Sequence, residues 1–169
     1  MGEQLTDTAR GVMNNGGQYG ELEGWHLPGL PDAGWKRALP SAAPPAAGTF
    51  WLRTKFELAL PAGHDIQLGL AFGGTKLVRS NRHTSVLIFV NGWNMGQFIA
   101  HVGPQRVFVI PPGILDHHGH NTLALAVTTD GKRANALEPV HLVVLRTVRG
   151  GVPVQMVAAP DFRHWPKGN

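Results

Sequence analysis

The sequence predicts an all-β protein, specifically a jelly-roll β-sandwich of about eight antiparallel strands. Short apolar or alternating segments recur along the chain, and turns rich in Gly, Pro, Asn and Asp separate them. No segment longer than a turn or two has apolar residues at helical spacing. No repeat of fixed period is present, which argues against a propeller or a solenoid.

The clearest strands flank a tight hairpin. Residues 86–90 form a continuous apolar run, as expected for a strand that is buried on both faces. Asn91 and Gly92 follow, and both residue types readily accept the positive φ of a type I′ turn. The returning strand is predicted over residues 97–102. The next strand, over residues 106–110, ends at a Pro-Pro-Gly sequence because proline lacks a backbone donor.

Outside the hairpin, apolar and polar residues alternate as expected for strands with one buried face. The clearest case is residues 49–58, where Trp51, Arg53 and Lys55 share the polar face. That face is expected to be solvated. The other predicted strands are residues 66–72, 121–128, 140–147 and 152–158.

Length predicts that residues 1–169 form a single jelly-roll domain, because the chain can bury one core but is short for two. Residues 1–15 are mostly polar, and they are expected to be a flexible or extended lead-in, continuing as extended chain to Gly20. Residues 21–40 contain Trp25 and Trp35 without helical spacing. This pattern indicates a loop that packs aromatic rings against a sheet.

Composition argues against several classes of protein. There is no cysteine, so neither a disulfide nor a thiolate metal site can form. The net charge is +4, but Lys and Arg are scattered, so no nucleic-acid partner is expected. The chain has no apolar run long enough to span a membrane, and its first residues lack the pattern of a signal peptide. No membrane partner is therefore expected.

Five short motifs then occur in order along the chain. They are GWHLP at 24–28, FWLRT at 50–54, VNGW at 90–93, GPQ at 103–105 and PGIL at 112–115. Each motif is weak alone, but their order and spacing make chance an inadequate explanation. On these residues the chain resembles the C-terminal jelly-roll domain of the β-galactosidases of glycoside hydrolase family 35. The resemblance is best over residues 11–128 and looser beyond them.

The resemblance implies an accessory role. Enzymes of that family hydrolyse terminal β-galactosides with two carboxylates about 5 Å apart on a catalytic barrel, and this sequence contains no such barrel. It therefore implies no catalytic residue and no cofactor. The implied function is to bind carbohydrate, such as a galactoside, or to support a glycoside hydrolase catalytic domain, and a homodimer is a further alternative. The chain would be extracellular in an exported parent and cytoplasmic otherwise.

The candidate carbohydrate-binding residues are Trp93, Asn94, Gln97 and Trp51. Trp93 follows the predicted turn, where its indole would stand at the hairpin end and could stack on the apolar face of a sugar ring. Asn94 and Gln97 would supply hydrogen bonds. Two alternatives remain open. Trp93 could pack beneath its own hairpin or against another domain, and Trp51 could be buried under the loop of residues 21–40.

A group of histidines carries a weaker signal. His117, His118 and His120 follow Asp116, and imidazoles with a carboxylate suit zinc or copper. Adjacent residues in a turn cannot easily all face one ion. The sequence therefore favours a solvated turn, and no metal is expected.

One rival function is a free-standing small protein that has reused the jelly-roll cavity for small-molecule binding or catalysis. A closed apolar pocket converging on His101, Arg53 or Asp116 would indicate it. Arg79, Arg82 and His83, in a basic loop, could also recognise a carboxylate or phosphate, although basic loop residues are usually only solvated.

Overall fold

Seven β-strands, each paired antiparallel with its neighbours, make up most of the described chain. The computed structural model describes residues 18–39, 42, 44, 46–74, 81–150 and 155–158. The strands are β1 (Ala47–Glu57), β2 (His64–Phe72), β3 (Thr84–Val90), β4 (Trp93–Ile99), β5 (Val107–Ile110), β6 (His120–Asp130) and β7 (Val140–Arg149). A short helix, α1 (Tyr19–Leu22), and two 3₁₀ turns, Pro112–Ile114 and Arg133–Asn135, complete the regular elements of these residues. None of the described helices is long and apolar enough to cross a membrane.

The strands form two sheets that face each other. The first sheet has the order β1-β6-β3-β4, and the second has the order β5-β2-β7. Except at the hairpin between β3 and β4, each strand is followed by a strand of the other sheet, which is the connectivity of a jelly roll. The prediction of an all-β jelly-roll sandwich is therefore confirmed, with seven strands in the described residues.

The main core lies between the two sheets. Side chains of β2 and β5 meet those of β3, β4 and β6 there, and the rings of Phe72, Phe98 and Phe108 pack together at its centre. Phe72 and Phe98 stack with their ring centroids 4.6 Å apart. The apolar residues of the alternating sequence patterns thus lie mainly in this core.

A second apolar layer covers the outer face of the first sheet. Leu87 and Phe89 of β3 and Ala124 and Ala126 of β6 lie on that face, together with Trp51. The segment of residues 18–39, which we call the covering segment, packs Trp rings over them. Consequently β3 is buried at all seven of its positions, which confirms the expectation for residues 86–90.

The covering segment also changes the environment of β1. The polar face of this strand was expected to be solvated, but Trp51 is only 8% exposed and the Arg53 side chain only 1%. Lys55 and Glu57, farther along the strand, are exposed as expected. The expectation was wrong at Arg53, whereas Trp51 has the burial that was its stated alternative, because the covering segment lies over this part of β1.

The turn of the central hairpin is fixed by one side chain. Asn91 and Gly92 have φ angles of 48° and 86°, as the type I′ turn requires. The Asn91 amide nitrogen donates to the Ile114 carbonyl at 2.7 Å and to Asn121 Oδ1 at 2.8 Å. Its oxygen accepts the Thr122 N–H at 2.8 Å. Asn91 therefore ties the hairpin to the start of β6.

Asn121 extends this network into the histidine-bearing turn. Its side-chain nitrogen donates to the carbonyls of Asp116, at 2.8 Å, and Gly119, at 3.3 Å. Its Oδ1 accepts the Asp116 N–H at 2.9 Å. Asn121 is 1% exposed, so these bonds satisfy an amide that would otherwise be costly to bury.

Several predicted element boundaries differ from the structure. β4 ends at Ile99 because the chain turns there, with the Val102 N–H donating to the Ile99 carbonyl. Tyr19 and Gly20 are helical rather than extended. Of the predicted last strand, residues 155–158 are described and form no strand, while residues 152–154 lie outside the described residues. The predicted lead-in, residues 1–15, also lies outside them.

The Asn91 network gives a graded prediction for stability. Asn91→Gly removes its side-chain hydrogen bonds but keeps the positive φ at no steric cost, and we expect it to lower the free energy of unfolding by about 2 to 3 kcal/mol. Asn91→Ala also forces a Cβ-bearing residue without a polar side chain into the left-handed region, so the loss should be about 1 kcal/mol larger. Urea denaturation followed by circular dichroism measures both values.

The exposed Thr54 supplies the control for this comparison. Thr54→Ala should change the free energy of unfolding by less than about 0.5 kcal/mol. Equal losses in the Gly and Ala variants of Asn91 would contradict the contribution of φ. A loss below about 0.5 kcal/mol in both would contradict the role of the network itself.

The covering segment gives a second prediction, at Trp25. Its ring makes edge-on contacts with Tyr19, Trp35 and Trp51, with centroids 5.7 to 5.9 Å apart. Trp25→Ala should therefore cost about 3 kcal/mol of unfolding free energy. Trp93→Ala is the matched control, because Trp93 is 64% exposed and should cost less than about 0.5 kcal/mol. Similar losses for the two variants would show that the segment adds little to stability.

Candidate functional site

The tip of the β3–β4 hairpin presents Trp93 to solvent. Trp93 is the first residue of β4, directly after the Asn91-Gly92 turn, and it is 64% exposed. The other side of the turn is covered. A Cβ added to Gly92 would lie 3.2 Å from a Leu27 methyl carbon and 3.4 Å from Pro28 Cδ. The covering segment therefore packs on the turn and leaves the Trp93 side chain free to meet a ligand.

Asn94 and Gln97 lie farther along the same strand. The exposed Asn94 accepts the Gly96 N–H at 2.7 Å, which supports a bulge in β4. The Gln97 side-chain nitrogen is buried and has no hydrogen-bond partner in the described part of the chain. Asn94 thus already uses its side-chain amide in a local hydrogen bond, whereas the amide donors of Gln97 are unused among the described residues.

The strand register decides how these three residues are arranged. Trp93 pairs with Val90, whereas Asn94 pairs with Phe89. Adjacent strand residues point to opposite faces, and Gln97, opposite Leu87, lies on the Asn94 side. The structure therefore brings Asn94 and Gln97 to one face of the sheet and places Trp93 at its edge on the other side.

Trp51, the fourth sequence-derived candidate, lies under the covering segment. Its ring stacks on Phe89 with the centroids 5.6 Å apart, and the edge of Trp25 meets it at 5.9 Å. A Cβ on Gly20 would come within 2.4 Å of the indole. The structure thus shows the burial that the sequence left open as an alternative for Trp51.

Arg53 holds the covering segment in place. Its Nε donates to Asp32 Oδ2 at 3.2 Å, and its Nη1 donates to the Trp25 carbonyl at 2.9 Å. The third nitrogen, Nη2, is buried without a hydrogen-bond partner among the described residues. Lys55 Nζ lies 3.8 Å from the same carboxylate. One acidic residue of the segment therefore faces two cations of β1.

A cleft of about 460 Å³ opens between β1 and the end of the covering segment. Its walls include Asp32, Trp35, Lys36, Arg37, Arg53 and Leu125. Sequence reasoning missed this cleft, because its two sides come from segments whose contact is not encoded in any local pattern. The available signal was the grouping of one acid and two bases around a tryptophan at residues 32–37.

The histidine-bearing turn is organised by hydrogen bonds. Asp116 Oδ1 accepts the His118 N–H at 3.0 Å, and a ring nitrogen of His117 lies 3.2 Å from the Pro112 carbonyl oxygen. Within the described ranges, no three His, Asp or Glu side chains are grouped closely enough to hold a metal ion. The Asp116 side chain thus caps the backbone of its own turn.

The residues proposed for a catalytic or anion-binding pocket are separated. His101 lies beside His83, with ring centroids 4.7 Å apart, and neither His101 nor Asp116 lines the cleft at Arg53. The pocket that would indicate a small-molecule enzyme is not assembled from these three residues.

Arg82 and His83, just before β3, make contacts within the protein, and Arg79 lies outside the described residues. Arg82 donates to the Ala136 carbonyl at 2.8 Å, and its Nε lies 3.4 Å from Glu138 Oε1. Glu138 also pairs with the buried Arg106. The His83 N–H donates to Asn135 Oδ1 at 3.0 Å. These contacts connect β3 and β5 to the segment before β7.

One carboxylate has a strongly shifted pKa. A hydrogen bond from the Asn135 side chain, followed by one from the Lys132 backbone, lowers the pKa of Asp130 to about 2. The folded-state pKa is thus below the unfolded value of about 3.9. The stabilisation by this carboxylate is therefore fully present above the unfolded-state pKa of about 3.9. It is lost as the pH falls through the folded-state pKa of about 2.

Comparison with known proteins assigns this fold to a family. Residues 19–133 match the model of the beta-galactosidase second all-beta domain. The match runs from α1 to the 3₁₀ turn after β6, so it includes the covering segment and the hairpin.

Several curated relatives are similar over most of this chain. "Probable beta-galactosidase C" of Neosartorya fischeri is 38% identical over 155 residues, which are 89% of this chain and 15% of that protein. "Probable beta-galactosidase B" of Sclerotinia sclerotiorum is 40% identical over 121 residues, 72% of this chain and 12% of that protein. "Beta-galactosidase A" of a Penicillium species is 34% identical over 165 residues, 96% of this chain and 16% of that protein.

The chain therefore spans about 15% of the length of the relatives it matches. These matches confirm the resemblance to a β-galactosidase accessory domain that the sequence motifs indicated. The chain belongs to the family of the second all-beta domain of β-galactosidases.

Proposed function

We propose that this chain is a non-catalytic domain of a longer β-galactosidase, and that it supports the catalytic domain by packing against it. The main support for this proposal is that the matched region makes up most of this chain but only a small part of each relative. The relatives named β-galactosidases match most of this chain, but this chain covers only 12% to 16% of the three described above. Most of such a protein, including a catalytic domain, would lie outside the matched region.

Three carboxylates of the described residues support a non-catalytic role. Asp32 pairs with Arg53, Glu138 pairs with Arg106, and Asp130 accepts hydrogen bonds from its own turn. A retaining glycosidase needs two carboxyl groups about 5 Å apart that are free to act on one sugar. These carboxylates are instead engaged in contacts that hold loops to strands.

An apolar surface on β7 supports packing against another domain. We call it the β7 patch, and it consists of Leu142, Val144, Leu145 and Val148, which are 37% to 62% exposed. β7 forms one edge of the three-stranded sheet, so these side chains lie at a margin of the sandwich. Exposed apolar side chains grouped along an edge strand are a feature of many protein interfaces.

Carbohydrate binding at the hairpin tip is the second candidate function. The observation that favours it is the 64% exposure of Trp93, since an exposed indole offers a flat apolar face to a sugar ring. Asn94 and Gln97, on the opposite face of β4 from Trp93, would hydrogen-bond to a sugar that extends around the sheet edge at the hairpin end. Trp51 is buried, so its contribution would be indirect, through its stacking on Phe89, the strand partner of Asn94.

The packing proposal predicts a context-dependent effect at Val144. In the isolated chain, Val144→Asp should change the unfolding free energy by less than about 0.5 kcal/mol, because the residue is 62% exposed. In a complete β-galactosidase that carries this domain, a buried interfacial carboxylate should cost about 2 kcal/mol. For a domain of this size, that loss corresponds to a fall of about 5 °C in the midpoint at which the domain unfolds within the complete enzyme.

Val102→Asp is the matched control, because Val102 is also apolar and exposed but lies between β4 and β5. It should leave the unfolding midpoint of the domain in the complete enzyme unchanged. If Val144→Asp and Val102→Asp have the same small effect there, β7 does not pack against another domain.

The carbohydrate proposal predicts that galactosides perturb Trp93. Titration of the 169-residue chain with lactose should shift the Trp93 indole and the side-chain amide signals of Asn94 and Gln97 in NMR spectra, with a dissociation constant of about 1 mM. Trp93→Ala should weaken binding at least tenfold, and Val102→Ala should leave it unchanged. The absence of any shift at millimolar lactose would refute sugar binding at this tip.

A further inference from the structure

β1 differs from the other edge strands of the described sandwich. Edge strands expose unpaired backbone groups, and proteins protect them by shortness or by bulges. β5 has four residues, while the registers of β4 and β7 each contain an irregularity. β1 pairs with β6 over eleven consecutive residues without any shift. It is therefore a long and regular edge.

The outer edge of β1 has no strand beside it in the described part of the chain. β1 pairs only with β6, and none of the described loop backbone forms hydrogen bonds with residues 47–57. In such a strand, the N–H and C=O groups of alternate residues point away from the sheet. A row of backbone donors and acceptors is thus available for another extended chain.

The cleft of about 460 Å³ lies along this edge. Residues 51–54 of β1 line it together with residues 35–38 of the covering segment. The cleft reaches both faces of β1, because its lining includes Leu125 and Val140 from the interior and Arg53 from the outer face. An extended segment in the cleft would therefore place successive side chains in two different environments.

The inward environment is apolar and the outward one is basic. Inward, a side chain would meet Leu52, Leu125 and Val140, which border the main core. Outward, it would meet Lys36 and Arg37, which are exposed, with Arg53 and Asp32 beneath them.

The balance of charge favours an acidic ligand. Three basic side chains line the cleft against the one carboxylate of Asp32. Arg53 is also buried with its Nη2 donor unused among the described residues. An acceptor oxygen from a ligand would satisfy that donor after a small movement of the covering segment.

We propose that the edge of β1 binds an extended segment, with alternating apolar and acidic side chains, from another part of the same polypeptide. The segment would add a strand to the sheet, as in β-augmentation. The source rests on the proposed function, because a longer β-galactosidase would supply such a segment from outside the matched region. A second copy of the chain is a poorer occupant, since Lys36, Arg37 and Lys55 would then face their own counterparts across the edge.

The chemistry is tested with the complete 169-residue chain and a synthetic peptide, acetyl-Val-Glu-Val-Glu-Val-Glu-amide. In NMR spectra, the peptide should shift the backbone amides of residues 51–54 and the indole of Trp35. Replacing the peptide glutamates by lysines should weaken binding at least tenfold. The double variant Lys36→Glu with Arg37→Glu should have the same effect on the glutamate peptide.

The matched control is Arg133→Glu with Arg149→Glu, which changes the net charge equally at exposed sites outside the cleft. It should leave the affinity unchanged within about twofold. Equal binding of the two peptides, or no shift at millimolar peptide, would overturn the proposal. Shifts of residues 51–54 by lactose alone, or by raising the protein concentration alone, would assign the edge to a sugar or a second copy and would also overturn it.

The source is tested by hydrogen exchange in a complete β-galactosidase carrying this domain. The outward amides of β1 should exchange at least tenfold more slowly there than in the isolated chain, while those of β3 should be slow in both. Equal rates for β1 would show that the segment comes from elsewhere and would overturn the proposal. The stability effect of Val144→Asp in the complete enzyme reports on the proposed function independently of this result.

Discussion

The fold depends on covering a sheet that is apolar on both faces. β3 and β6 carry large or small apolar side chains toward the second sheet and equally toward the outside. A two-layer sandwich buries only one of these faces, so the covering segment must bury the other. Trp25 and Arg53 make this possible, the first by filling the space above Trp51 and the second by anchoring the segment through Asp32.

The need to cover the outer face of the first sheet explains the positions of three of the sequence motifs. GWHLP supplies Trp25 and the Leu27-Pro28 pair that rests on the hairpin turn, while FWLRT supplies Trp51 and Arg53 beneath it. VNGW supplies the turn and Asn91, which fastens it to β6. Three motifs that are distant in sequence therefore meet at one surface of the first sheet, and the family resemblance that they carry reflects packing rather than a catalytic site.

Local features of the fold were predictable, as was the packing of the Trp25 and Trp35 loop on a sheet, whereas most other contacts between separate segments were not. The strand at residues 86–90 and the Asn91-Gly92 turn follow from neighbouring residues alone. The burial of Arg53 does not, because alternation along β1 cannot show that residues 18–39 will lie above it. The cleft was missed for the same reason. Of the four candidate sugar-binding residues, the structure exposes Trp93 and covers Trp51, and the role of each in binding stays a prediction.

The register of β1 against β6 also has a consequence for how the chain folds. These strands pair Ala47 with Asp130, so their alignment requires closing a loop that contains most of the other strands. Closing long loops costs entropy before contacts compensate it, and non-local sheets accordingly fold slowly. The β3–β4 hairpin can form early because its two strands are adjacent in sequence. Its apolar faces then stay exposed until β6 and the covering segment pack against them. Until β6 and the covering segment pack on the hairpin, its exposed apolar surface can associate with that of other chains.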